Sequence, residues 1–243
     1  LAAQNGWQGG GIFEIDSNTH TSVAKYLKKQ FELDGPIPVY DEGELWRYNG
    51  LCWRIIPDSE LRQLVHELDQ KKTKSGKLIQ VSKQFIDGCL YELMSMCSNS
   101  GFFENQPMGV NCKNGFLEMS LDRKTKLLDH DPNHKQRFIF DAKWDNEDSI
   151  FSGYLQKLIE GCFLGLDEIV KGQLIRLIQQ ILGVSITGIA TKLSTPICFV
   201  LYGPSASNGK SQILELIRSL LPNDACSSIP PADLGKEQYL IEL

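Results

Sequence analysis

Residues 44–56 read ELWRYNGLCWRII, two short runs of aromatic and aliphatic residues on either side of Asn49-Gly50. Tight two-residue hairpin turns need positive φ at their central positions, which Asn-Gly accepts with little strain. The stretch therefore predicts a β-hairpin with Tyr48 opposite Leu51 and Trp46 opposite Trp53, leaving Arg47 and Cys52 on the other face. Paired tryptophans can close one side of a core or offer a platform to unpaired bases. The core reading is preferred here, because such pairs more often fill interiors.

Working outward, TSVAKYLKKQFEL sets Val23, Tyr26, Leu27 and Phe31 at helical spacing, and SELRQLVHEL does the same for Leu61, Leu64, Val65 and Leu68. A further helix is expected from about Ile79 to Met96. A second Asn-Gly, Asn114-Gly115 in MGVNCKNGFLEMSL, marks another hairpin, and DRKT at 122–125 reads as a turn before KLLDH. Hairpins alternating with helices make residues 24–147 an α+β module behind a Gly-rich leader at 1–23. From Asp148 the period is helical again. Ile150, Phe151, Tyr154, Leu155, Leu158, Ile159 and Cys162 form one stripe, and Ile169, Val170, Leu174, Leu177, Ile178 and Ile181 another. These two helices occupy 148–193, with Gly183 expected to end the second.

With 243 residues, one to two domains are expected, and 42% hydrophobic with 23% charged residues excludes a disordered or fibrous chain. No uninterrupted apolar run reaches the roughly 18 residues that span a bilayer, so no membrane role is expected. The opening LAAQNGWQGGG has neither a basic start nor an apolar run, which argues against a signal peptide, and the chain reads as a piece cut from a longer protein. Seven cysteines are scattered without a CxxC pair, which fits a reducing cytoplasm. His130 and His134 flank DPN, where Pro132 favours a turn over a helical metal site.

The formal net charge of −5 argues against a uniformly basic coat for nucleic acid. One local exception is DQKKTKSGKLIQVSK, which carries Lys71, Lys72, Lys74, Lys77 and Lys83 against Asp69 alone. It is either a solvated loop or a contact for a phosphate backbone.

Residues 197–222, ICFVLYGPSASNGKSQILELIRSLLP, have the order of a phosphate-binding loop: an apolar strand, a glycine-bearing turn, Gly209-Lys210-Ser211, and a helix stopped by Pro222. Five residues rather than the usual four separate Gly203 from Gly209, so the loop is read as one residue longer. The expected nucleotide-binding residues are Gly203, Asn208, Gly209, Lys210, Ser211 and Gln212. Lys210 reaches the β and γ phosphates of ATP and is the catalytic candidate, while Ser211 ligates Mg2+. This makes 194–243 the first part of an α/β P-loop domain.

GPSASNGKS, with Asn208 just before Gly209, resembles the nucleotide-binding loop of superfamily-three helicases, above all the primase-helicases of phages, plasmids and poxviruses. DEGELWRYNGLCWRI resembles the tryptophan-bearing hairpin that precedes their motor. VNCKNGFLEM, LLDHDPNHKQRF and ILGVSITG are similar to other segments of that region. The resemblance covers roughly residues 24–243 and implies a viral, phage or plasmid replication protein, working in a bacterial host or at a viral replication site. Its AAA+ motor forms a ring, commonly a hexamer, on single-stranded or forked DNA and unwinds the duplex with ATP. In that family the acidic magnesium-side strand begins just beyond the segment matching DLG. Asp224, Asp233, Glu237 and Glu242 are present, but none terminates a strand-like apolar run. By itself the chain is thus expected to be inactive, binding ATP weakly or not detectably and not hydrolysing it. Two other readings remain: a non-catalytic module for DNA or a replication partner within residues 1–190, and a small-molecule kinase using the same loop.

Overall fold

The computed structural model describes residues 14–120, 124–145, 153–187, 199–202 and 209–221, together with 226, 228–230 and 232. Among these residues the fold is an α+β mix of six α-helices and two small antiparallel sheets of three strands each. The chain folds as two compact units. One contains the described residues up to Gln106 together with Asp131–Arg137, and the other contains Pro107–His130 and the described residues from Phe138 onward.

In the first unit, α1 (His20–Asp34) starts at Thr19, whose hydroxyl accepts the Ser22 N–H, and stops at Gly35. After it come β1 (Val39–Asp41), β2 (Glu44–Tyr48), β3 (Trp53–Ile55), α2 (Asp58–His66) and α3 (Lys83–Met96). The helical stripes legible in the sequence meet in one core: Val23, Leu27 and Phe31 of α1, Leu61, Leu64 and Val65 of α2, and Ile86, Cys89, Leu90 and Leu93 of α3. Helix α3 begins later than the spacing predicts because Ser82 caps it, accepting the Phe85 N–H at 3.2 Å. Ile79, upstream of that cap, is buried in the same core from a turn.

The hairpin forms, but with a different register. Trp46 pairs with Ile55, Arg47 with Arg54 and Tyr48 with Trp53. The Asn49 side chain itself bends the backbone, since its Oδ1 accepts the N–H groups of Leu51 at 3.0 Å and Cys52 at 2.9 Å. This widens the loop to residues 49–52, closed by the Asn49 N–H on the Cys52 carbonyl. A slip of two residues keeps every side chain on its own face. Trp46 and Trp53 therefore stay on one side as diagonal neighbours, and Arg54 rather than Cys52 stands opposite Arg47.

The second unit carries β4 (Gly109–Cys112), β5 (Gly115–Met119), β6 (Thr125–Leu128), α4 (Gly153–Gly161), α5 (Glu168–Thr187) and α6 (Lys210–Leu220). The β4–β5 pairing ends at Cys112 and Gly115, so the turn is Lys113-Asn114, one residue earlier than the Asn-Gly rule predicts. Gly115 has φ +146, and a Cβ there would collide with the Leu128 carbonyl of the neighbouring strand. Residues 121–123 lie outside the described residues, although the β5–β6 pairing they connect is present.

Helix α5 continues past Gly183, contrary to the sequence expectation. An interior glycine costs only about 1 kcal/mol relative to alanine, and the Thr187 hydroxyl continues the turn by donating to the Gly183 carbonyl at 2.8 Å. By length and composition alone, α5 is also the one helix among the described residues able to cross a membrane, with an 18-residue mean hydropathy of 1.2. Glu168, Lys171 and Arg176 interrupt its sequence, and its Ile178 is buried with Ile159 of α4 and Ile213 of α6.

The strand expected over 197–202 is not formed where it is described. Residues 199–202 have no strand pairing, and Phe199, Val200 and Tyr202 are exposed. An apolar strand is held by partners on both edges, and the two sheets among the described residues do not include it. Residues 197 and 198 lie outside the described residues.

Candidate functional site

Helix α6 begins at Gly209, whose backbone is left-handed at φ 81 and ψ −3, and no side chain caps it. The first helical return is the Ile213 N–H to the Gly209 carbonyl at 3.0 Å. The amides of Lys210, Ser211 and Gln212 thus have no carbonyl behind them within the helix. Together with the helix dipole, equivalent to about half a positive charge at this end, they make an arrangement suited to a phosphate. Lys210 adds a full positive charge at the first helical position, and Ser211 an exposed hydroxyl at the second. Ser211 also stands at one end of a cleft of about 550 Å³, bordered further along α6 by Leu214, Ile217 and Arg218. The other two expected contacts, Gly203 and Asn208, lie outside the described residues.

Gly209 is needed here for two reasons. Its φ is one that side chains rarely adopt, and a Cβ would collide with the Cys162 sulfur just after α4. Gly209→Ala should therefore lower stability by about 1–3 kcal/mol. Adding Cys162→Ala should restore part of that loss by removing the collision while leaving the backbone strain. Thermal unfolding of the single and double variants checks this, and identical melting of Gly209→Ala and wild type would contradict it.

The lysine-rich segment forms a tight turn. The Thr73 N–H donates to the Lys77 carbonyl at 2.8 Å, its hydroxyl donates to the same carbonyl at 3.0 Å, and Lys72 bridges Leu78 across it. Lys71, Lys72, Lys74 and Lys77 all project into solvent. Asp69, the one acid within the segment, turns its carboxylate to the backbone and accepts the Val81 N–H at 2.9 Å. The acid that pairs with the turn is Asp16, 2.7 Å from the Lys74 ammonium. Its carboxyl is held below the ordinary range, first by the hydrogen bond and charge of Lys74, then by the charges of Lys25 and Lys29 on α1.

The tryptophans do not offer a platform for bases. Trp46 is 8% exposed and Trp53 2%, clustered with Phe102 and Phe103. The Trp46 and Phe103 ring centres are 4.9 Å apart, and those of Trp53 and Phe102 5.1 Å, both edge to face. Arg137 closes this group, with its guanidinium 4.4 Å from the centre of the Phe103 ring while bonding both Glu42 oxygens at 2.6 and 2.7 Å. Sequence reasoning missed this assembly. Its one local signal was the Phe102-Phe103 pair, and the link to Arg137 spans the chain between them.

A second polar arrangement escaped the sequence reading. Asn111, 1% exposed, donates to the Phe138 carbonyl at 3.0 Å, and its Oδ1 lies 3.0 Å from Nδ1 of His130. The DPN segment is a turn as expected: Asp131 accepts the Asn133 N–H at 2.7 Å and starts a short 3-10 helix, Pro132–His134. No group of His, Cys, Asp and Glu among the described residues could hold a metal ion. The six described cysteines are free thiols. Burial pushes Cys89 up to about 12 and Cys97 up to about 11, so neither supplies a thiolate near neutral pH.

A family model described as D5 N terminal like matches residues 24–163, from within α1 to just past α4. No curated protein matches the chain. The glycine-capped start of α6 lies downstream of the matched region.

Proposed function

We infer the function from family membership: this chain belongs to the D5 N terminal like family, the N-terminal region of phage and viral primase-helicase proteins. It is thus a replication protein of primase-helicase type. The finer reading we propose is an ATP-dependent DNA helicase, whose motor includes the segment that begins at 194 and works as a ring, commonly hexameric, on single-stranded or forked DNA. The observation that carries the ATP site is the N-terminus of α6 at Gly209, where no side chain caps the helix and Lys210 and Ser211 are its first two residues.

In this reading the amides of Lys210, Ser211 and Gln212 and the Lys210 ammonium bind the triphosphate, and the Ser211 hydroxyl takes a place in the magnesium shell. Magnesium, when bound, neutralises charge on the β and γ oxygens. A fluorescent ATP analogue followed by anisotropy tests the site. Ser211→Ala should weaken the magnesium-dependent part of binding, and binding indifferent to both Ser211→Ala and Lys210→Ala would refute the assignment.

The other reading, a non-catalytic module for DNA or a partner, draws on the exposed lysines of the 71–77 turn. It predicts steeply salt-dependent DNA binding without any requirement for Lys210. A small-molecule kinase fits less well, because such an enzyme has no need of the D5-like region. Stimulation of nucleotide turnover by single-stranded DNA separates the two.

A further inference from the structure

The segment before α1 is clamped between two basic elements. The Lys74 N–H donates to the Ile15 carbonyl at 2.9 Å, and the Ser17 N–H donates to the Ser22 hydroxyl at 3.0 Å. These bonds hold Asp16 between the lysine turn and the first turns of α1. There its carboxylate oxygen receives the Lys74 ammonium at 2.7 Å. Lys25 and Lys29 are one helical turn apart on the exposed face of α1. Their charges reach Asp16 as well. Glu14 is the other acid whose charge reaches Lys74.

We propose that Lys25, Lys29 and Lys74 form a seat for a backbone phosphate of single-stranded DNA, flanked by Lys71, Lys72 and Lys77, and that Asp16 occupies this seat until DNA displaces it. A carboxylate and a phosphate both present anionic oxygens to an ammonium. The Asp16–Lys74 pair is solvent-exposed on both sides. Exposed pairs of this kind add little to stability, so a polyanion that binds several lysines at once can replace it. Release of condensed counterions from the DNA then favours the exchange. The surface lies in the unit that does not contain α6, so it would let the D5-like region hold DNA independently of the nucleotide site. This deepens the replication reading and rests on it.

The test uses the whole chain and a labelled 20-mer oligonucleotide, with affinity followed across a salt series. Asp16→Asn should tighten binding about fivefold at low salt, the factor set by one unit charge at contact distance in water. It should also steepen the dependence of log affinity on log salt by ~0.7. The double variant Lys25→Ala with Lys29→Ala should weaken binding and reduce the gain from Asp16→Asn. Unchanged melting temperatures confirm that these exposed substitutions leave the fold intact. Equal affinity and slope for Asp16→Asn and wild type would overturn the proposal. So would lysine-dependent binding to phosphatidylglycerol vesicles with none to the oligonucleotide, which would make the surface a membrane contact. ATP-analogue binding is read on the same samples. Binding indifferent to both Lys210→Ala and Ser211→Ala would count against the helicase reading while leaving the Asp16 comparison interpretable.

Discussion

Trp53→Ala is expected to destabilise the protein by about 3–5 kcal/mol, a large part of the roughly 5–15 kcal/mol that holds a typical domain together. The indole is 2% exposed and sits among Tyr48, Phe102 and Phe103, with ring centres 5.8, 5.1 and 6.3 Å away. Truncation opens a cavity that the short β2–β3 hairpin cannot refill. It also removes the Nε1–H donor from the Pro132 carbonyl, now met at 2.9 Å. Trp53→Phe should cost less than the alanine variant, since it keeps most of the ring contacts and loses the donor. Urea unfolding followed by circular dichroism measures the difference. If Trp53→Ala melted like wild type yet lost single-stranded DNA binding, the tryptophan would have to be reassigned from the core to base stacking.

Much of the fold was legible because helical stripes and turn residues are local signals. Val23, Leu27 and Phe31 in α1 and Leu61, Leu64 and Val65 in α2 announce their faces by spacing alone, and the structure buries them together. Both Asn-Gly hairpins exist, yet the register of each differs from the rule. At Asn49 a side-chain carbonyl competes with the backbone for the turn amides, and at Gly115 the close approach of Leu128 decides which residue must lack a Cβ. Such contests depend on atoms that periodicity does not weigh.

The candidate sites follow the same division. A lysine turn can be read from its residues, but its counterion cannot, because Asp16 is far away in sequence and reaches Lys74 only through the fold. Likewise Arg137 joins the aromatic cluster across a long separation in the chain. At the end of the chain the helix of the GKS segment appears where expected, from Lys210 to Leu220. The strand before it does not, since apolar residues in a row specify burial without naming the sheet that would supply it.

Lys210→Ala is expected to lower ATP hydrolysis by the full-length gene product by about 100-fold or more, the scale of losing one charged contact to a transferring phosphoryl group. Lys210 opens α6, where the amides and dipole already favour an anion. Its ammonium would offset the charge that develops between the β and γ phosphates. Because the amides of Ser211 and Gln212 survive the substitution, nucleotide binding should fall less than turnover. A variant that lost binding and turnover in equal proportion would place Lys210 in ground-state binding alone.

The most direct test of the helicase account is the steady-state rate of magnesium-dependent ATP hydrolysis by the full-length gene product, with and without single-stranded DNA, beside this chain alone and the Lys210→Ala variant. The account predicts turnover that rises with single-stranded DNA, collapses in Lys210→Ala and is missing from residues 1–243 by themselves. Turnover by residues 1–243 at the full-length rate, dependent on Lys210 and indifferent to DNA, would contradict it and identify a self-contained nucleotide enzyme instead.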